Sequence, residues 1–130
     1  MAEGYLSFYA KQWATIESAG LRRAEVHPLT IQVMEEDSIN VSHHISKTYH
    51  QFNGIYFDYL ITLCDEANEQ LPKNIKFGQH LHFDVPDPAE ATGSTPERLE
   101  VFRSVREEVR KRMLRLIGGQ LMEKTLATAS

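Results

Sequence analysis

A single cysteine, Cys64, and a single tryptophan stand in a chain of 130 residues, with only five prolines. One thiol excludes an internal disulfide framework and fits a reducing compartment, so a cytoplasmic location is expected. No apolar run approaches the roughly 20 residues that cross a bilayer, and the opening residues lack the basic-then-apolar order of a signal peptide. No membrane partner is expected. Basic excess is also missing: 14 Lys and Arg stand against 18 Asp and Glu, a net charge of -4. That balance argues against nucleic acid, whose phosphates need clustered cations. The one cationic run, Arg110-Lys111-Arg112, falls late in a predicted helix, where it complements the negative end of the dipole. No repeat or low-complexity stretch appears. What remains, 42% hydrophobic and 25% charged, is the composition of one globular domain with one core.

The chain opens MAEGYLSFYAKQW, with Tyr5, Leu6, Tyr9 and Trp13 at helical spacing and no capping residue before them. The first element starts as if part-way along. A helix is expected from residue 2 to about 12, then a short strand and turn in WATIESAG. Pro28 in a first-turn position, with Leu29, Val33 and Met34 on one stripe, predicts a second helix. Residues 38–52 mix periods and predict a turn and another short helix. YFDYLITLC, residues 56–64, is the nearly continuous apolar run of a strand buried on both faces. DEANEQ then predicts a short helix and IKFGQHLHF an alternating strand, whereas the prolines and glycine of DVPDPAEATG demand a loop. Ser94-Thr95-Pro96-Glu97 is a capping box with proline in the first turn. The helix it opens carries Leu99, Phe102, Val105, Val109, Met113, Leu116 and Ile117 on one stripe and is expected to end at Gly118-Gly119.

The closing EKTLATAS reads as a loose tail, giving one domain over 1–119 and a tail over 120–130. Alternating helices and strands make this an α/β fold with a mainly parallel sheet. Three strands are counted, fewer than a sheet with so apolar a strand ordinarily has.

In open α/β sheets the ligand site lies outside the carboxyl ends of the strands. Cys64 closes the most apolar strand, Asp87 lies in the loop after the last one, and Ser18-Ala19-Gly20 turns after the first. A thiol and a carboxylic acid at one sheet edge suit redox, acyl-transfer or phosphoryl-transfer chemistry. The plainer alternative makes Cys64 an inert small hydrophobe and Asp87 a turn aspartate before Pro88. His80 and His82 share a strand face, and His43, His44 and His50 are not far in sequence, which raises the question of zinc. No Cys or carboxylate stands at a standard ligand spacing. Neither a metal nor any other cofactor is expected.

The motifs MAEGYL, SAGL, HPLTIQVM, HISK, FDYLITLCDEANEQLP, HFDVPDPAEATGS and VFRSVREEVRKRM, in this order from Met1 to about Met113, resemble the thioredoxin-coupled arsenate reductases. These share the fold of the low-molecular-weight protein tyrosine phosphatases. LCDEANEQLP and DPAEATGS favour the arsenate-reductase branch. The resemblance implies a three-layer parallel sheet and a first strand entering a C-x5-R loop, about V-L-F-L-C-T-G-N-S-C-R-S-Q, before M-A-E-G. Met1 matches that internal methionine, which implies a start within the first helix, past the loop, and a sheet truncated to about three strands. In the family the loop's cysteine is the nucleophile, and the loop's N–H groups and arginine cradle the oxyanion. By the same resemblance, Asp87 is the general acid that protonates the leaving oxygen. Cys64 is the first of two redox cysteines, and Leu71 stands where the second is expected. Asp84 replaces a usual glycine.

Two functions follow from this. One is arsenate reduction or phosphate-ester hydrolysis, on an arsenate or phosphate-ester substrate with thioredoxin or another thiol reductant as partner. On that reading these 130 residues are inactive without the loop. The other is a non-catalytic phosphatase-fold module acting in protein binding or homo-oligomerisation. With the central strand missing, the first strand and residues 56–64 would present unpaired backbone groups toward a gap, and a homo-oligomer is expected.

Overall fold

Apolar residues at helical and alternating spacing divide the described residues into four helices laid against a sheet. The computed structural model describes residues 1–12, 14–20, 25–44, 47–120 and 124–129, and from residue 120 onward the description is of the backbone. The helices are α1 (Ala2–Ala10), α2 (Pro28–Glu36), α3 (Asp65–Glu69) and α4 (Thr95–Gln120). The strands are β1 (Ala14–Gly20), β2 (Lys47–Thr48), β3 (Tyr56–Thr62), β4 (Lys76–His82) and β5 (Lys124–Ala129), with 3-10 turns at Tyr49–Phe52 and Pro88–Glu90. Trp13 lies outside the described residues.

The sheet has five strands in the order β2-β1-β5-β3-β4, and every pairing is parallel. The α/β class and parallel sheet are as expected; the count of three strands is corrected to five. Residues 47–48, expected within a turn and helix, form the short edge strand β2. The larger correction concerns the tail. Lys124–Ala129 is a strand in the centre of the sheet, in register with Ala14–Ala19 on one side and with Tyr59–Thr62 on the other. The expected unpaired gap is therefore absent, because the chain closes it with its own last strand. The physical reason is that parallel ladders join distant segments, and β1 and β3 each offered a full row of backbone donors and acceptors. α4 ends at Gln120, one residue past the Gly118-Gly119 pair at which it was expected to end.

β3 is buried on both faces, as its apolar run requires. Tyr59 and Ile61 pack among Tyr5, Leu6, Met34, Val105, Val109 and Met113 beneath α1, α2 and α4. Phe57 and Leu60 pack in a second cluster with Tyr49, Phe52 and Ile75. Each such large side chain, fully buried, contributes on the order of 1.5–3 kcal/mol. Gly4 lets α1 approach the turn after α2, since a Cβ there would fall 2.9 Å from Met34 Cε and 3.0 Å from Val41 Cγ1. The capping box forms: Ser94 Oγ accepts from the Glu97 N–H at 3.3 Å, and Glu97 Oε1 accepts from Ser94 Oγ at 2.9 Å.

A charged clamp ties α2 to α4. Arg103 and Arg106 donate to the Glu36 carboxylate at 2.8 and 2.6 Å, and Arg106 also donates to the Val33 carbonyl at 2.9 Å. Beneath it the Tyr5 hydroxyl donates to Asp37 Oδ2 at 2.5 Å. Hydrogen bonds from Arg103, then from Arg106, hold the Glu36 carboxyl down at about 2. A carboxyl depressed in the folded state adds stability above its unfolded value and loses it as pH falls through the folded one. Glu36→Gln is therefore expected to lower the melting temperature at pH 7 and to flatten its decline between about pH 4.5 and about pH 2. Thermal unfolding monitored by circular dichroism across that range checks this; parallel curves for both proteins would contradict it.

Candidate functional site

All five strands point their carboxyl ends the same way, so the residues that follow them gather at one edge. There a cleft of about 540 Å³ opens between the start of α1, the end of β1, the β3–α3 junction and the loop after β4. Cys64 and Asp87 both line it, together with Glu3, Ser18 and His44. Ala19 lines it too; Gly20, the last residue of the predicted Ser18-Ala19-Gly20 turn, is not among its lining residues.

Cys64 sits two residues past the end of β3 because the chain leaves the sheet there and turns into α3. It is half-buried and caps that helix, its Sγ accepting from the Ala67 N–H at 3.4 Å. Near it lies Tyr49, whose buried hydroxyl has no hydrogen-bond partner among the described residues. Burial, and then the charge of Cys64, push that hydroxyl up to about 12. Leu71 packs half-buried with the Tyr49–Phe57 cluster just beyond α3. Asp87 caps the turn Pro88–Glu90, with Oδ1 accepting from the Ala89 N–H at 2.9 Å. Its other carboxylate oxygen takes no part in that bond, so the capping role and an acid role are compatible. Asp84 lies exposed in the same loop.

On the opposite wall Glu3 bridges two groups: Ser18 Oγ donates to Oε2 at 2.8 Å, and His44 Nδ1 lies 3.0 Å from Oε1. Burial holds the His44 imidazole below its ordinary value against the opposing pull of Glu3. Sequence reasoning marked the three residues separately, Glu3 in MAEGYL, Ser18 in SAGL and His44 in HISK, and missed that they meet, since Glu3 and His44 are 41 positions apart. The four carboxylates of the lining are Glu3, Glu66, Asp87 and Glu90, and no Lys or Arg is among its described residues.

His80 and His82 share one face of β4, as expected, but they turn to a neighbouring hydroxyl. Thr62 Oγ1 lies 2.9 Å from His80 Nε2 and 2.7 Å from His82 Nδ1, and His82 Nε2 lies 2.9 Å from Asp65 Oδ1. Among the described residues no group of three or more His, Cys, Asp or Glu converges on one point. Nor is any helix among them long and apolar enough to cross a membrane.

The family model of the low molecular weight phosphotyrosine protein phosphatases matches residues 1–127. The chain belongs to that family. Within it, the chain is 34% identical over 113 residues to an arsenate reductase of Halalkalibacterium halodurans, covering 87% of this chain and 81% of that protein. It is 32% identical over 118 residues to a glutaredoxin arsenate reductase of Synechocystis sp., covering 91% and 86%. Among solved structures, an arsenate reductase in the reduced state superposes with a TM-score of 0.75 at 31% identity, covering 90% of this chain and 85% of that one. Another, in the phosphate binding state, gives the same values. The phosphatase-family fold and the arsenate-reductase likeness expected from the motifs are thus both found, and the match runs into β5.

Proposed function

We propose that this domain serves oxyanion chemistry of the arsenate-reductase type, with Asp87 as the general acid and Cys64 as the redox cysteine. The observation that carries this is that Cys64 and Asp87, 23 positions apart, line one cleft at the carboxyl edge of a sheet shared with arsenate reductases. Reducing arsenate takes two electrons, supplied as two thiols become one disulfide. Cys64 is the one sulfhydryl in these residues, and Leu71 supplies none. In the chain joined to the C-x5-R loop, the loop's cysteine and Cys64 supply the two sulfurs, and with Leu71 in place of a further cysteine an external thioredoxin-like or glutaredoxin-like thiol reduces their disulfide.

The 130 residues contain no Cys-x5-Arg, and no Lys or Arg stands among the described residues of the cleft lining. By themselves they are expected to turn over neither arsenate nor an aryl phosphate. Joined before Met1 to a V-L-F-L-C-T-G-N-S-C-R-S-Q segment, they are expected to hydrolyse an aryl phosphate and, with an added thiol reductant, to reduce arsenate. Activity of the unextended chain that is lost on Cys64→Ser would overturn the requirement for the segment.

A second reading, a non-catalytic module that binds protein or its own copies, draws on β5. A strand at the end of the chain that fills a central slot is a segment two copies can exchange. Light scattering separates the readings: a concentration-dependent dimer together with an inert extended chain supports the module.

A further inference from the structure

We propose that Asp65, His82, Thr62 and His80 form a two-state proton relay that carries one proton between the exposed β4 edge and the head of α3, next to Cys64. Thr62 is fully buried, and its hydroxyl has a single hydrogen to share between two imidazole nitrogens at 2.7 and 2.9 Å. That one hydrogen fixes the order of every other proton in the chain. Asp65 accepts from His82 Nε2–H at 2.9 Å. With His82 neutral, its Nδ1 is bare and accepts the Thr62 hydroxyl hydrogen, and Thr62 Oγ1 accepts from His80 Nε2–H. With His82 protonated, Nδ1–H donates to Thr62 Oγ1, the hydroxyl hydrogen turns to His80 Nε2, and His80 is the Nδ1–H tautomer.

The two states interconvert with atoms and charge balanced. A solvent proton binds His80 at Nδ1, the Nε2 proton passes to Thr62 Oγ1, and the hydroxyl proton passes to His82 Nδ1. His80 ends neutral in the other tautomer, and the positive charge rests on His82 against the Asp65 carboxylate. Two protons at once would leave both rings donating to Thr62 and its hydroxyl hydrogen with no acceptor, which in a buried site costs about 1–3 kcal/mol. Once it holds one proton, the unit therefore resists a second. In keeping with this, burial, and then the charge of His82, hold His80 below its ordinary value. Among the described residues, the titratable groups in hydrogen-bonding contact with the unit's hydroxyl and rings are Asp65 from α3 and the two histidines of β4, and Phe77 meets the His80 ring edge-on at 5.7 Å.

On the reading of Cys64 as the redox cysteine, the relay stores a proton on His82, hydrogen-bonded to Asp65, the residue that follows the thiol in sequence. Its existence is tested without that reading, by following the ring nitrogens of 15N-histidine-labelled full chain from pH 5 to pH 9. As His82 gains its proton, the protonated nitrogen of His80 is expected to change from Nε2 to Nδ1 in the same step, with no change in His80 charge. Thr62→Val is expected to abolish that linked change, and Thr62→Ser, which keeps the hydroxyl, to preserve it. A His80 tautomer that stays constant through the His82 titration in the unaltered chain overturns the relay, as do identical curves for Thr62→Val. Should Thr62→Val not fold, the unaltered chain and Thr62→Ser decide.

Discussion

A chain that stops at Gln120 is expected to lose its cooperative thermal transition altogether. Removing β5 strips Ala14–Ala19 of one ladder and Tyr59–Thr62 of another, in the middle of the sheet. Each ladder bond contributes about 1 kcal/mol net, and each backbone group left buried without a partner costs about 1–3 kcal/mol. Across two ladders the loss is of the same order as the whole stability of a domain, about 5–15 kcal/mol. The uncovered β3, with Tyr59, Leu60 and Ile61 in sequence, is then an open edge of the aggregation-prone kind. A peptide of residues 121–130 added in excess is expected to restore folding through mass action. Circular dichroism melts of the shortened chain, with and without the peptide, check this. A shortened chain melting as the full one does would show that β5 contributes nothing to the sheet.

The second large effect concerns Asp87. In the chain extended by the C-x5-R segment, Asp87→Asn is expected to lower kcat for an aryl phosphate by about 10²–10⁴, the range of a positioned general acid. The amide keeps an oxygen that accepts from the Ala89 N–H, so the turn Pro88–Glu90 and the loop survive the change. Loss of the proton donor is then separated from loss of the fold. The effect should shrink for a substrate whose leaving group needs no protonation, such as one with a strongly acidic phenol. Equal losses on both kinds of substrate would assign Asp87 a purely structural role.

How far the fold was legible depended on how local its determinants are. The β3 run, the capping box at Ser94 and the proline-led start of α2 are written in neighbouring residues, and each element stands where its pattern puts it. β5 was not legible, because KTLATA carries one large apolar residue, Leu126, and owes its place to ladders with segments more than 60 positions away. The site divides the same way. Cys64 and Asp87 follow from the rule that loops after parallel strands gather at one edge. The Glu3–Ser18–His44 cluster and the Thr62 link between His80 and His82 depend on the packing of α1 and on the β3–β4 register, which no single stretch of sequence states.

The central claim is that this domain carries part of an oxyanion-handling site and that its 130 residues contain no Cys-x5-Arg loop to complete it. It is tested most directly by measuring arsenate reduction, with a dithiol reductant present, by the 130-residue chain and by the same chain extended with the C-x5-R segment. The account predicts no turnover above the reductant alone for the first, and turnover that falls away with Cys64→Ser for the second. An extended chain that folds, binds phosphate and yet reduces no arsenate, or one in which Cys64→Ser changes nothing, would contradict it.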